Sequence, residues 1–168
     1  MSLVQAKANC QNMVQMAKES GLDFRLETLV LTNTFDAHRL AKFADNHGLM
    51  HEMTDRLLQA YYTESKHIGD HATLIHLAEE VGLNREAVAS MLASNNMSNE
   101  VLADEQEAQE LAIRSVPFFL VNKKYSISGA QPTETFISAL NQIVEQDGPY
   151  IEPTGLACDD DGCEIPEK

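Results

Sequence analysis

The 168-residue chain is strongly acidic, and this balance excludes several classes of function. Its 26 acidic and 12 basic side chains give a formal net charge of −14, which argues against non-specific nucleic-acid binding because few cations can neutralise phosphates. No apolar run approaches the roughly 20 residues of a membrane span, and the N-terminus lacks the layout of a signal peptide. We therefore expect a soluble cytoplasmic protein.

Two different elements are expected in the first 32 residues. Residues 1–20 carry apolar side chains at helical spacing, and Gly21 supplies a C-terminal stop. Cys10 lies near apolar neighbours in this helix, where we expect an inert thiol in the core or at its boundary. Residues 24–32 suit a strand or an extended connector equally well.

A series of short helices follows, each signalled by a polar N-cap or a glycine stop. Apolar residues recur within them at helical spacing, which predicts a helical subdomain with its own core. The last helix of the series carries an acidic run that is most simply a solvent face. The expected elements are a helix capped by Thr34 and ending near 46, one over 49–63, and three more capped by Asp70, Asn84 and Ser98.

The stretch 115–132 changes character from helix to hairpin. Val116-Pro117 precedes two β-forming runs, 118–121 and 125–128, which are separated by a short polar turn. A glycine ends the second run, and Pro132 suits the first turn of a helix that reaches about residue 146. The apolar stripe of this helix is expected to pack across the hairpin.

Several short motifs resemble one known family. Their combination is similar to the FrnE-like branch of the DsbA family over roughly residues 5–147. The motifs are Asn33–Leu40, Ala60–Glu64, Ile68–Asp70, Val81–Leu83, Val116–Phe119 and Ser128–Gln131.

The resemblance implies an α+β, mostly α fold of thioredoxin-like (DsbA-type) design. It implies a helical insertion subdomain over 1–112 and the C-terminal part of a thioredoxin-like domain over 113–147. An acidic, Cys-containing tail over 148–168 follows, which composition predicts to be disordered.

The same resemblance implies a protein thiol-disulfide oxidoreductase. In this family the X-Pro bond before the hairpin is normally cis, whereas the sequence alone also fits a trans proline that starts an edge strand. By the resemblance, Val116 and Pro117 are expected to form the groove for a thiol or disulfide protein, or for a small thiol. Glutathione is a candidate cofactor only by analogy with the related chromene-carboxylate isomerases, which use it. Otherwise no cofactor is expected.

The sequence departs from the family pattern at the residues that matter most. No Cys-x-x-Cys occurs in it, and the strand and redox helix that open the family fold have no counterpart. Ser115 stands where glycine usually precedes Val-Pro. We therefore expect no thioredoxin-type turnover from this chain, with a non-catalytic binding or assembly module as the alternative function.

Cys158 and Cys163 are the candidate redox pair that remains. They could form a labile disulfide, stay as two tail thiols without a dedicated role, or contribute to a metal site. The three aspartates between them should raise the thiol pKa values and so lower the thiolate fraction.

The histidines do not form a more convincing metal site than Cys158 and Cys163. His67 and His71 have i,i+4 spacing, but Asp70 is expected to begin a new helix between them. His38, within the family motif, is expected to hydrogen-bond inside the helical subdomain rather than act in catalysis. No metal ligand is assigned.

A two-stranded hairpin is marginal alone, and its edges leave backbone groups unpaired. The helices, residues 24–32 or another chain must cover it. We expect a homodimer, or an N-terminal half that is missing from this chain.

Overall fold

A computed structural model of the protein describes residues 2–148, and this part of the chain is mostly helical. The elements follow one another as a run of helices, a hairpin and a last helix. They are α1 Leu3–Glu19, α2 Phe35–Asp45, α3 Met50–Tyr62, α4 His71–Glu80, α5 Arg85–Leu92, α6 Ser98–Glu110, β1 Phe118–Val121, β2 Tyr125–Ser128 and α7 Thr133–Asp147.

The helix boundaries follow local side-chain chemistry. Asp70 accepts a hydrogen bond from the Thr73 N–H at 2.8 Å, and Asn84 accepts one from the Ala87 N–H at 2.9 Å, as predicted. Thr34 occupies the N-cap position of α2, as predicted, but its side chain makes no capping hydrogen bond, and the Asn33 side chain accepts the Phe35 N–H at 2.8 Å instead. The cap assigned to Ser98 is also displaced, since α6 begins at that residue itself.

The chain divides into two compact units, one ending at Glu110 and one beginning at Leu111. The first unit holds a continuous apolar core contributed by α2 to α5. Full burial of each large aliphatic side chain in such a core stabilises the fold by roughly 1.5–3 kcal/mol. The largest fully buried side chains are Leu40, Met53, Leu74, Leu77 and Val88.

One charged side chain, Arg39 of α2, is buried in the first unit with 4 % of its surface exposed. Its guanidinium donates to the backbone carbonyls of Met91, Ser94 and Asn96 at 2.5–2.8 Å. It also donates to the Asp36 carboxylate at 2.7 Å. Arg39 thus ties α2 to backbone carbonyls at the end of α5 and in the connection to α6.

Residues 24–32 form a connector and not the alternative strand, and the connector contains a turn at residues 26–28. The Arg25 N–H donates to the Tyr62 carbonyl at 2.7 Å, and Phe24 stacks on the Tyr62 ring with centroids 4.7 Å apart. The connector ends against Gly69, where an added Cβ would lie 2.1 Å from the Thr32 hydroxyl oxygen. The connector is therefore held by α3 and by the turn before α4, and it pairs with no strand within residues 2–148.

The expected burial of Cys10 is wrong. Cys10 is exposed, because α1 packs through its last turn and Ala17 is its one buried residue among those described. The helix itself is as predicted: Ser2 caps it through the Gln5 N–H at 3.2 Å, and Gly21 follows it with φ 81°.

In the second unit, β1 and β2 pair antiparallel with Phe119 opposite Ile127. The connecting turn places Asn122 and Lys123 at φ 53° and 54°, and the Lys124 N–H donates to the Val121 carbonyl at 3.1 Å, as in a type I′ turn. The predicted packing of α7 on the hairpin is present, since Phe136 meets Phe119 edge to face at 4.8 Å.

None of the helices within residues 2–148 is both long enough and apolar enough to cross a membrane.

Candidate substrate-binding segment

The Val116–Pro117 segment leads into β1 on the surface of the second unit. The peptide bond between these residues is cis, as the resemblance implied. The Val116 side chain is 85 % exposed, and Ser115 and Pro117 are exposed as well. An apolar side chain displayed to this extent beside a strand can contact another polypeptide.

The C-terminal side of the segment is fixed by the hairpin. The Pro117 carbonyl accepts a hydrogen bond from the Gly129 N–H at 2.8 Å, next to the last cross-strand pair. Gly129 has φ 82°, a conformation that side-chain-bearing residues rarely adopt. The Gln131 side-chain amide donates to the Ser128 carbonyl at 2.9 Å. The Ser128–Gln131 motif therefore closes the end of the hairpin against Pro117.

The N-terminal side of the segment keeps its backbone groups free within the described residues. Neither the N–H nor the carbonyl of Val116 bonds to another backbone group of residues 2–148. Backbone groups of this kind can pair with an added extended chain in the manner of a sheet edge. The segment thus combines a fixed strand, an exposed valine and open backbone positions.

A polar cluster at the opposite end of the hairpin ties it to α7. Lys124 and the Tyr125 hydroxyl donate to the Asp147 carboxylate at 2.8 and 2.9 Å. These hydrogen bonds lower the pKa of Asp147, and the carboxylate in turn raises the pKa of Lys124. The sequence gives no signal for this cluster, because Asp147 lies more than 20 residues beyond Lys124 and Tyr125 and no motif links the three residues.

The sequence-predicted site residues are not brought together in the described part of the chain. Val116 and Pro117 are adjacent in the second unit, whereas the candidate pair Cys158 and Cys163 lies outside the described residues. Cys10, on α1 of the first unit, is an exposed free thiol.

The histidines occupy separate surface positions. His38 is exposed, and no hydrogen bond of its side chain joins it to the rest of residues 2–148, so the expected structural role is absent there. His71 begins α4 after the Asp70 cap, which separates it from His67 as predicted. Within the described residues no three His, Cys, Asp or Glu side chains are grouped to hold a metal ion.

Comparisons with known proteins agree with this architecture. The chain resembles the crystal structure of a probable DsbA oxidoreductase, SCO1869, from Streptomyces coelicolor, with a TM-score of 0.80 and 35 % identity over 99 % of this chain and 72 % of the other. A putative protein disulfide isomerase from Nitrosomonas europaea has the same fold, with a TM-score of 0.66 over 88 % of this chain and 78 % of the other, at 14 % identity.

A curated relative is the uncharacterised protein YwbO of Bacillus subtilis (strain 168). It is 32 % identical over 100 residues, which are 59 % of this chain and 50 % of YwbO. The chain thus spans about half the length of the curated relative it matches.

The thioredoxin-like, mostly helical fold is confirmed by these structures and by a family model. That model, described as the DSBA-like thioredoxin domain, matches residues 1–141. The chain belongs to the DSBA-like thioredoxin domain family.

Proposed function

We propose that this chain takes part in thiol-disulfide exchange on proteins by holding an extended segment of the substrate against Val116 and Pro117. The observation that carries the proposal is the 85 % exposed Val116, whose backbone groups are free of backbone partners in the described residues. The adjacent Pro117 carbonyl is already fixed by Gly129. A substrate backbone can then pair at Val116 without displacing the hairpin.

Turnover of the thioredoxin type is not part of the proposal, because the 168 residues contain no Cys-x-x-Cys. Exchange requires a thiolate that attacks a substrate disulfide and a second thiol that resolves the mixed disulfide. Cys158 and Cys163 are the one closely spaced pair in the sequence. If they acted, they would be oxidised to a disulfide while the substrate disulfide was reduced to two thiols.

A purely binding or assembly role is the second candidate, and the missing redox motif favours it. A homodimer, a small thiol such as glutathione and a cytoplasmic location also remain proposals for this chain.

Substrate holding can be tested with a labelled, unfolded polypeptide that contains no cysteine. Its binding is followed by fluorescence anisotropy for the wild type, for Val116→Glu and for the control Val4→Glu. Val4 is 78 % exposed on α1, so both substitutions add one carboxylate at an exposed valine. We expect Val116→Glu to weaken binding roughly tenfold, about 1.4 kcal/mol, and Val4→Glu to leave it unchanged.

Equal binding by all three proteins would contradict the proposed role of the segment. Insulin reduction by the wild type and by a Cys158→Ser/Cys163→Ser variant tests the chemistry separately. Turnover that vanishes in the double variant would make the tail pair a redox centre and overturn the expectation of no turnover. Absence of turnover in both proteins supports it.

A further inference from the structure

Met97 differs in its surroundings from the other methionines of residues 2–148. Two of the others are buried in the core of the first unit and three are exposed: Met53 at 0 % and Met91 at 2 %, against Met50 at 36 %, Met13 at 52 % and Met16 at 66 % exposure. Met97 is partly buried, and it packs against the core from its edge. It therefore combines a contact with the core and access from solvent.

The sulfur of Met97 lies beside a polar group at the protein surface. The side-chain amide of Asn46, at the end of α2, donates to this sulfur at 3.7 Å. Both residues line an open cleft of about 350 Å³ between the end of α2 and α6. A thioether is only a weak acceptor, so the amide is a donor that could serve a stronger acceptor at the same place.

Met97 also supports the start of α6. Its carbonyl accepts the Val101 N–H at 3.3 Å, and its φ of 63° is unfavourable for a residue with a side chain, so the surrounding contacts must sustain it. Within α6, Val101 is the buried residue, and Asp104 pairs with Lys42 of α2 at 2.6 Å. Because α6 has so few contacts of its own, its first turn depends on Met97.

We propose that Met97 is a site of reversible oxidation by small peroxides, and that its sulfoxide loosens the start of α6 from α2. A sulfur lone pair attacks one oxygen of hydrogen peroxide, so the S–O bond forms as the O–O bond breaks. The second oxygen departs as hydroxide and takes the proton of the first, which gives water. The sulfur is oxidised by two electrons to the sulfoxide, and the peroxide is reduced to water.

The consequence for α6 follows from the polarity of the product. A sulfoxide oxygen that is pressed against the apolar core without a hydrogen bond is costly. The Asn46 amide and the solvent of the cleft provide partners on the other side. The oxidised side chain should therefore turn toward the cleft and give up its contact with the core.

The first test exposes the folded, full chain to dilute hydrogen peroxide, followed by a thiol reductant that reverses disulfide formation but leaves sulfoxides intact. Peptide mass spectrometry should find one added oxygen on Met97 and none on Met53 or Met91. Hydrogen exchange of the Val101 amide should become about tenfold faster, equal to about 1.4 kcal/mol of opening free energy. Methionine sulfoxide reductase should restore the original rate.

Variants separate Met97 from the other oxidisable residues. Met97→Leu has no sulfur at this position, so peroxide should not accelerate exchange at Val101. Met50→Leu removes an exposed methionine instead and should respond as the wild type does. The comparison of the wild type before peroxide, after peroxide and after the reductase needs no variant, so it holds even if Met97→Leu folds poorly.

Three results would overturn the proposal. The first is a Met97 that stays unmodified while Met13 and Met16 are converted. The second is oxidation of Met97 without faster exchange at Val101. The third is an acceleration by peroxide that persists in Met97→Leu.

Discussion

At the scale of single residues, the strongest constraint is the buried guanidinium of Arg39. Asp36 is the carboxylate that balances it, at 2.7 Å, and the His71 ring nitrogen lies 2.8 Å from the other oxygen of the same carboxylate. These three residues link α2, α4 and, through Arg39, the end of α5. Removing one partner of a buried charge costs more than the pair itself contributes, because the remaining charge stays desolvated.

The pKa of Asp36 makes this linkage dependent on pH. Burial acts to raise it, but hydrogen bonds from His71 and Arg39 outweigh burial and hold the pKa below its usual value of 3.8. A carboxyl whose pKa is lower in the folded state stabilises the protein above its unfolded pKa. That contribution is lost as the pH falls through the folded value.

Asp36→Asn should therefore destabilise the protein near neutral pH by about 1–3 kcal/mol, since Arg39 loses its charged partner. The deficit should shrink below about pH 4, where the wild-type carboxyl also becomes neutral. Urea denaturation at several pH values between about 3 and 7 measures both effects.

Asp45→Asn is the matched control, because Asp45 is an exposed aspartate on the same helix. It should change the free energy of unfolding by less than about 0.5 kcal/mol at any of these pH values. An Asp36→Asn deficit that stayed constant down to acid pH would contradict the role given to the ionised carboxyl.

At the scale of elements, the hairpin turn carries a conformation that its sequence does not favour. Lys123 has φ 54°, in the left-handed region that costs a side-chain-bearing residue roughly 1–2 kcal/mol. A type I′ turn prefers Asn-Gly at its two central positions, and this chain has Asn122-Lys123. Glycine at position 123 would remove this conformational cost. It would also raise the conformational entropy of the unfolded chain, which offsets part of the gain in stability.

Lys123→Gly should consequently stabilise the hairpin by a net of about 0.5–1 kcal/mol. Native-state hydrogen exchange of the cross-strand amides of β1 and β2 reports this change directly. Lys123→Ala removes the same side chain but keeps the backbone cost, so it should show no gain. Equal stabilisation by both substitutions would assign the effect to the loss of the lysine charge instead.

Whether a feature could be predicted from the sequence depends on how far apart in the chain its interacting residues lie. The caps at Asp70 and Asn84, the turn at 122–124 and the proline before β1 were predictable, because each depends on neighbours within a few residues. Burial of Arg39 was not, since its carbonyl partners lie 52–57 residues away. Burial of Cys10 was predicted wrongly because an apolar stripe alone does not reveal whether anything packs on it.

The features of the candidate site also differ in whether local sequence determines them. The cis Val116–Pro117 bond followed from the family motif, and its position before the hairpin followed from local sequence. The hydrogen bond from Gly129 to Pro117 could not be assigned from the sequence, because it depends on the register of the two strands.

At the scale of the whole molecule, the two units differ in how much apolar surface they bury. The first contains five large side chains with almost no exposure. Among the described residues of the second, Ile143 of α7 is the one buried side chain, at 8 % exposure. Local stability follows buried apolar contact, so opening of the second unit should require less free energy than opening of the first.

Hydrogen exchange should accordingly be faster in β1, β2 and α7 than in α2 to α5. Ile143→Ala should lower the free energy of opening of the second unit by about 2–4 kcal/mol and so accelerate exchange throughout it. If the unit is less stable than that, its amides should lose their protection. Ile137→Ala is the matched control: Ile137 lies on the same helix, is 55 % exposed, and should change exchange little. Hairpin amides as strongly protected as those of α2 to α5 would contradict the expectation that the small buried core of the second unit limits its stability.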